Sequence, residues 1–211
     1  AAPFVWPGDT DNDGTVDVID VLPLGQHFGR NGPPRGFGLA WLARQADAWN
    51  LLDATYADAT GDGVVDQNDL QPIGFNYGRS RTAAKTRAVA FGTSYSSPTN
   101  VFNEVRTDAP IAETSLWARA LGDTIPLTVG ISSQLVNEPW LGLAAVLKYD
   151  SGSLSLIDVR PDSSFDDGTL LELVRHDRSR GILAFAYTRR RTGQPMPEAG
   201  PGVHLSFQPV G

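Results

Sequence analysis

Cysteine is absent, which removes disulfide bridges and thiolate metal sites and leaves the redox compartment unmarked. Histidine is scarce: His27, His176 and His204 are too scattered for a zinc or catalytic constellation. No apolar run approaches the ~18 residues of a membrane span. The opening AAPFVWPG lacks the basic and apolar regions of a signal peptide and fits a mature form cleaved before Ala1. Glutamate is missing from residues 1–80, where eleven Asp and four Arg leave a net charge of −7. Residues 81–211 hold thirteen acids and thirteen Lys or Arg, so the whole formal charge lies at one end. Acid concentrated in this way repels nucleic acid and anionic membranes, and requires solvation or bound cations.

What is present is a repeat. Residues 9–30 and 58–79 align at an offset of 49 with ten identical positions, among them Asp9/Asp58, Asp13/Asp62, Gly14/Gly63, Asp20/Asp69, Pro23/Pro72, Gly25/Gly74 and Gly29/Gly78. After each Asp-rich segment, Val21, Leu24 and Phe28, and likewise Leu70, Ile73 and Tyr77, recur at helical spacing. Each unit therefore reads as a loop followed by a helix. Pro23 and Pro72 sit in the first turn, where a missing N–H costs least, and Gly29 and Gly78 stop the helix. Between the units, residues 31–57 read as a turn-rich loop, NGPPRGFG, and then one helix over residues 39–52 containing Trp41 and Trp49.

The loops have the chemistry of a hard-cation site. Calcium takes six to eight oxygens, which a twelve-residue loop supplies from positions 1, 3, 5, 7, 9 and 12, with Gly at position 6. In DTDNDGTVDVID these are Asp9, Asp11, Asp13, the Thr15 carbonyl, Asp17 directly or through water, and Asp20. In DATGDGVVDQND they are Asp58, Thr60, Asp62, the Val64 carbonyl, Asp66 and Asp69, with the neutral Thr60 making the weaker site. Asp-Gly segments are often only solvated turns, but two of them in repeat register argue for two calcium ions. Magnesium rarely uses an all-protein cage of this size.

From about residue 85 the period becomes two. IPLTVGIS, LGLAAVLKYD, SLSLIDVR, TLLELVRH, GILAFAYT and VHLSFQP, with AVAFG before them, alternate or run apolar between turns and indicate an antiparallel β-sandwich. RSRTAAKT at residues 79–86 reads as the linker and SYSSPTN at 94–100 as a polar loop. The expected organisation is an α+β chain of two domains: a small helical calcium module with an extended N-terminal segment at 1–80, and a sandwich at 81–211.

The paired loops, each closed by Asp at position 12 and followed by one helix, resemble a dockerin, the calcium-dependent module that binds cohesin domains in bacterial assemblies. The resemblance covers residues 6–79. It departs at the insert 31–57 and at loop positions 10 and 11, Val18-Ile19 and Gln67-Asn68, where cellulosomal dockerins carry Ser/Thr-type recognition residues. The run LGDTIPLTVGIS, LGLAAVLKYDSGSLSLIDV, GILAFAY and GVHLSF is similar in order and spacing to cohesin strands, and implies a cohesin-like jelly roll. Together the resemblances imply a non-enzymatic bacterial protein, secreted or at the cell surface, that binds a protein partner. That partner is a neighbouring copy if the chain joins head to tail into a filament.

Other features point elsewhere. Trp41, Trp49, Trp117 and Trp140 are compatible with a calcium-dependent carbohydrate-binding module, or with core packing. Asp158, Asp166, Asp167 and Glu172 lie in or beside turns and read as solvated acids rather than a glycosidase pair. The basic runs RHDRSR at 175–180 and RRR at 189–191 lack interleaved stacking aromatics, so they suit an acidic protein partner better than nucleic acid. Asp123-Thr124-Ile125 resembles a bacterial O-glycosylation acceptor. The uncharged AAPFVW either packs on its own domain or completes a neighbour's sheet edge.

Overall fold

The computed structural model describes residues 2–81, 102–106, 114–118, 125–131, 142–165, 168–190 and 202–210. Each repeat folds as loop then helix. Loop 9–20 leads into α1 (Val21–His27), and loop 58–69 leads through a 3-10 turn (Gln67–Asp69) into α3 (Leu70–Asn76). Pro23 and Pro72 occupy the first helical turn, whose N–H groups have no intrahelical acceptor. Val21 and Leu24, and Ile73, are fully buried on the inward faces.

The two units exchange main-chain hydrogen bonds reciprocally. Gly29 N donates to Val65 O and Val65 N to Arg30 O, both at 2.9 Å. Their counterparts 49 residues along are Gly78 N to Val16 O at 2.8 Å and Val16 N to Arg79 O at 2.9 Å. The internal repeat is therefore also a repeat of contacts, and each loop is held by the segment that leaves the other unit's helix.

The insert differs from the sequence expectation. Residues 39–50 form no helix; Arg44–Gln45 is a short strand, β2, and the helix of this region is α2 (Leu52–Ala57). The cause is the N-terminus. Phe4–Val5, β1, pairs antiparallel with β2, Ala46 N donates to Pro3 O at 2.9 Å, and Trp41 packs on Trp6 with ring centroids 4.8 Å apart. These contacts draw out as strand and loop a stretch whose composition favours helix. They also seat residues 3–6 of the N-terminal segment on its own module, with Val5 fully buried.

The rest is a sandwich of two antiparallel four-stranded sheets. The strands are β3 (Phe102–Arg106), β4 (Thr114–Ala118), β5 (Ile125–Ile131), β6 (Gly142–Tyr149), β7 (Leu154–Pro161), β8 (Leu170–Asp177), β9 (Ile182–Arg189) and β10 (Gly202–Pro209). One sheet runs β4-β5-β10-β7 and the other β3-β6-β9-β8. The runs AVAFG and SYSSPTN lie outside the described residues. Between the sheets, Leu143, Ala145, Leu147 and Tyr149 of β6, Leu183, Phe185 and Tyr187 of β9, and Val203, Leu205 and Phe207 of β10 form the core.

The alternate residues of β6 and β9 are equally informative. Ala144, Ala184 and Ala186 face away from that core, yet they are buried, as is Leu171 of β8. They join one apolar cluster with Val21, Leu24, Ile73 and Trp49 of the calcium-loop module. The small side chains let a helix lie close to the sheet, so β6 and β9 are covered on both faces, as their nearly continuous apolar runs require.

Candidate metal centre

The first loop is shaped by its own side chains. Asp11 Oδ1 accepts from Asp13 N at 3.0 Å, Asp13 Oδ1 from Thr15 N at 2.7 Å, and Asp9 Oδ1 from Gly14 N at 3.3 Å. Gly14 has φ of +101° and Gly63, its mate, +95°, a left-handed turn that side-chain-bearing residues rarely adopt. Asp20 closes the loop: Oδ1 accepts from Thr10 N at 2.6 Å and Oδ2 from Asp17 N at 2.8 Å. The second loop repeats this, with Asp69 Oδ1 accepting from Thr60 N and Oδ2 from Asp66 N, both at 2.8 Å. Asp58 takes Gly61 N at 2.9 Å and Gly63 N at 3.2 Å. Asp62 Oδ1 accepts from Val64 N at 3.0 Å.

Two observations test whether an ion fits. Carboxylate oxygens of Asp9, Asp11 and Asp13 converge to within 4.8 Å of one another. Asp9 Oδ2 is buried and meets the Arg81 guanidinium at 2.7 Å as an ion pair, without a well-aligned hydrogen bond, so it keeps lone-pair capacity for a cation. The donor set is all oxygen, as calcium requires.

The electrostatics point the same way. Burial raises the pKa of Asp9, Asp20 and Asp58 above the ordinary carboxylate range, and lifts Asp11 and Asp69 to about 7. Neighbouring carboxylates add to the rise at Asp11 and Asp20. A divalent cation would relieve both the burial and the crowding of these charges.

Two arginines that sequence reasoning did not single out stand on the position-1 carboxylates. Arg81 Nη2 lies 2.7 Å from Asp9 Oδ2, and Arg35 Nη1 lies 3.2 Å from Asp58 Oδ2. Neither pairing follows from spacing. Residues 79–81, read from the sequence as the start of a linker, lie against the first loop, with Arg81 N donating to Gly14 O at 2.8 Å.

Two further arginines hold the module to the sandwich. Arg175 of β8 lies over the Tyr77 ring at 4.3 Å from its centroid, and Arg190 over Phe28 at 4.5 Å. Phe28 and Tyr77 are repeat mates, so both units are engaged. Arg175 also approaches Gly74 O at 3.4 Å, and Arg190 approaches Gln67 Oε1 at 3.3 Å. Between these clamps α1 lies close to β9. A Cβ on Gly25 would collide with the Thr188 hydroxyl and come within 2.6 Å of Arg189 O, whereas one on Gly74 would meet nothing within 4 Å. Arg175 and Arg190, one from each basic run, thus lie on the N-terminal module of the same chain.

The remaining candidates disperse. Trp49 is buried, its Nε1 donating to Pro33 O at 3.2 Å, while Trp6 and Trp41 tilt at 47° and form no flat platform. Asp158 is exposed beside Arg160 at 3.5 Å. Trp140, Asp123, Thr124, Asp166 and Asp167 lie outside the described residues.

No curated protein matches this chain. Among solved structures, it is similar to the type II cohesin dyad from the adaptor ScaA scaffoldin of Acetivibrio cellulolyticus, at 16% identity over 44% of this chain and 32% of that one, TM-score 0.37. It is also similar to CaCohA2 from Clostridium acetobutylicum, at 20% identity over 44% of this chain and 63% of that one, TM-score 0.35. The chain thus spans less than two thirds of either structure. Residues 7–73 match the dockerin type I domain, a calcium-binding, non-catalytic assembly module. With their paired Asp-Gly loops and single following helices, residues 7–73 are similar to a dockerin type I module, and in this chain they precede an antiparallel β-sandwich.

Proposed function

We propose that this chain is a non-catalytic bacterial assembly protein working outside the cell, and that it carries two calcium ions and joins like chains head to tail. One ion is held by Asp9, Asp11, Asp13, the Thr15 carbonyl, Asp17 and Asp20. The other is held by Asp58, Thr60, the Val64 carbonyl, Asp62, Asp66 and Asp69. Calcium supplies positive charge and oxygen coordination that hold each loop in the shape from which α1 or α3 starts. The chain's residues do the joining.

The observation that carries this reading is the seat of α1 on the β6-β9-β8 face, flanked by the Arg175–Tyr77 and Arg190–Phe28 contacts. One chain carries both the inserting surface and the receiving one. Made within the chain, the contact closes it. Made between neighbours by exchanging modules, the same contact is heterologous and propagates unless it closes into a ring.

Among the described side chains, the tryptophans give the carbohydrate reading no comparable support: Trp49 is packed in the core, and the Trp6–Trp41 pair is spent on tying the N-terminal strand to the insert. The test is to remove calcium, set the protein at a series of concentrations, return calcium and measure size by sedimentation velocity and electron microscopy. Oligomers should increase with the protein concentration at which calcium is returned. A monomer under every condition refutes head-to-tail joining.

A further inference from the structure

The two loops are not equally dependent on an ion. Loop 58–69 lies beneath a strap, residues 32–38; among the described residues, loop 9–20 is met at the equivalent place by Arg81, whose N donates to Gly14 O at 2.8 Å. In the strap, Gly32 N donates to Gly63 O at 3.0 Å, Arg35 N to Gly61 O at 3.1 Å, and Gly38 N to Thr60 O at 2.8 Å. The strap is fixed from behind. Gly32 packs so closely under the Trp49 ring that a Cβ there would overlap it, and Trp49 Nε1 bonds Pro33 O.

From this strap Arg35 reaches into the loop. Its guanidinium pairs with Asp58 Oδ2 at 3.2 Å, donates to the Asp58 carbonyl, and donates to Ala59 O at 3.1 Å. The Arg35 side chain is 3% exposed and that of Asp58 0%. Arg81 makes the analogous contact with Asp9, but it is 25% exposed and also bonds Asn12 O and Oδ1 at 3.0 Å. Water screens the second pair and not the first. The charge counts differ in the same direction, since loop 9–20 holds five carboxylates and loop 58–69 four.

We propose that Arg35 is a resident counter-cation of the second loop, a positioning residue that keeps Asp58 and the loop backbone in ligand geometry before calcium arrives. The first loop's counterpart, Arg81, is more exposed, so that loop takes more of its shape from the ion. This rests on reading both loops as calcium sites. Asp58 can serve both partners: Oδ2 is taken up by Arg35 and Gly63 N, both at 3.2 Å, while Oδ1 accepts Gly61 N at 2.9 Å and only a long 3.5 Å contact from the Thr60 hydroxyl, which leaves it capacity for the ion. Removing Arg35 would leave a buried carboxylate unpaired, a state that only the metal could then relieve.

The experiment is amide hydrogen exchange on the full chain, in saturating calcium and in chelator, with calcium binding measured separately by calorimetry. Gly61 N and Gly63 N report on Asp58, and Gly14 N on Asp9. In chelator, Gly61 and Gly63 should exchange more slowly than Gly14 by about tenfold or more, the scale of a charge-assisted hydrogen bond. In R35M that difference should vanish in chelator and return with calcium; R35K should retain part of it. A structural role alone would lower protection with and without calcium alike. Equal loss at Gly14, Gly61 and Gly63 in the unmodified chain overturns the proposal without any variant, as does an R35M chain whose second loop stays protected in chelator. Absence of calcium uptake by calorimetry would instead overturn the reading of the loops themselves.

Discussion

Replacing Gly25 by alanine, with Gly74→Ala as its repeat-matched control, isolates the contact between module and sandwich. Both glycines occupy the same helical position, so both substitutions gain the same intrinsic preference, about 0.8–1 kcal/mol in favour of the helix. They differ in what the new methyl meets. At Gly74 it meets nothing within 4 Å, whereas at Gly25 it strikes the Thr188 hydroxyl and comes within 2.6 Å of the Arg189 carbonyl. Backbone on one side and a buried side chain on the other leave little room to yield, and overpacking of this kind costs about 1–3 kcal/mol. Gly74→Ala should therefore stabilise the calcium-loaded chain by somewhat under 1 kcal/mol, while Gly25→Ala falls about 1–3 kcal/mol below it. Urea unfolding followed by circular dichroism measures both, and hydrogen exchange at β9 amides shows whether the sheet face has been uncovered. If the two variants shift stability equally and in the same direction, α1 does not seat on β9.

Calcium removal should unfold much of the N-terminal module, read as a lower melting temperature and lost helical signal in chelator. Asp20→Ala should cost more than Thr60→Ala by roughly 1–3 kcal/mol, since it strips the acceptor from the Thr10 and Asp17 N–H groups, whereas Thr60→Ala removes a neutral hydroxyl and leaves the Asp69 carboxylate to accept from Thr60 N and Asp66 N. Calorimetric calcium affinity should fall as pH drops from above 7 towards 5, because Asp11 and Asp69, lifted to about 7 by burial, must lose protons to bind metal. In chelator the sign reverses. These raised carboxylates favour the folded state when protonated, so the ion-free module should lose stability as pH rises from about 4 through 7. Arg175→Ala and Arg190→Ala should each weaken docking by about 0.5–2 kcal/mol through loss of the ring contacts, with the double variant showing the larger exposure of β9 to exchange.

What was legible in the sequence was local or repeated. Aspartates at positions 1, 5, 9 and 12 with Gly at 6 fix a loop through short-range bonds such as Asp13 Oδ1 to Thr15 N, so both loops and their helices could be read directly. The period of two likewise marked six of the eight described sandwich strands. Residues 39–50 misled because Leu, Ala, Arg and Gln favour helix, while the partner that draws them out lies some forty positions earlier, at Phe4–Val5. Arg35, Arg81, Arg175 and Arg190 were missed as specific contacts because each acts across a long chain separation. One signal of the docking face was available. Ala144, Ala184 and Ala186 alternate with the large core residues of β6 and β9, and small apolar residues on a second sheet face imply that something close-packed covers it.

The most direct test of the account is a count of calcium ions bound per chain, by equilibrium dialysis at neutral pH with metal analysis, for the unmodified protein and for two paired variants. Two ions should bind the unmodified chain, one should remain in Asp9→Ala/Asp11→Ala, and one in Asp58→Ala/Asp69→Ala. A chain that binds none, or whose count is unchanged by either pair, contradicts the assignment of these loops and the assembly mechanism built on them.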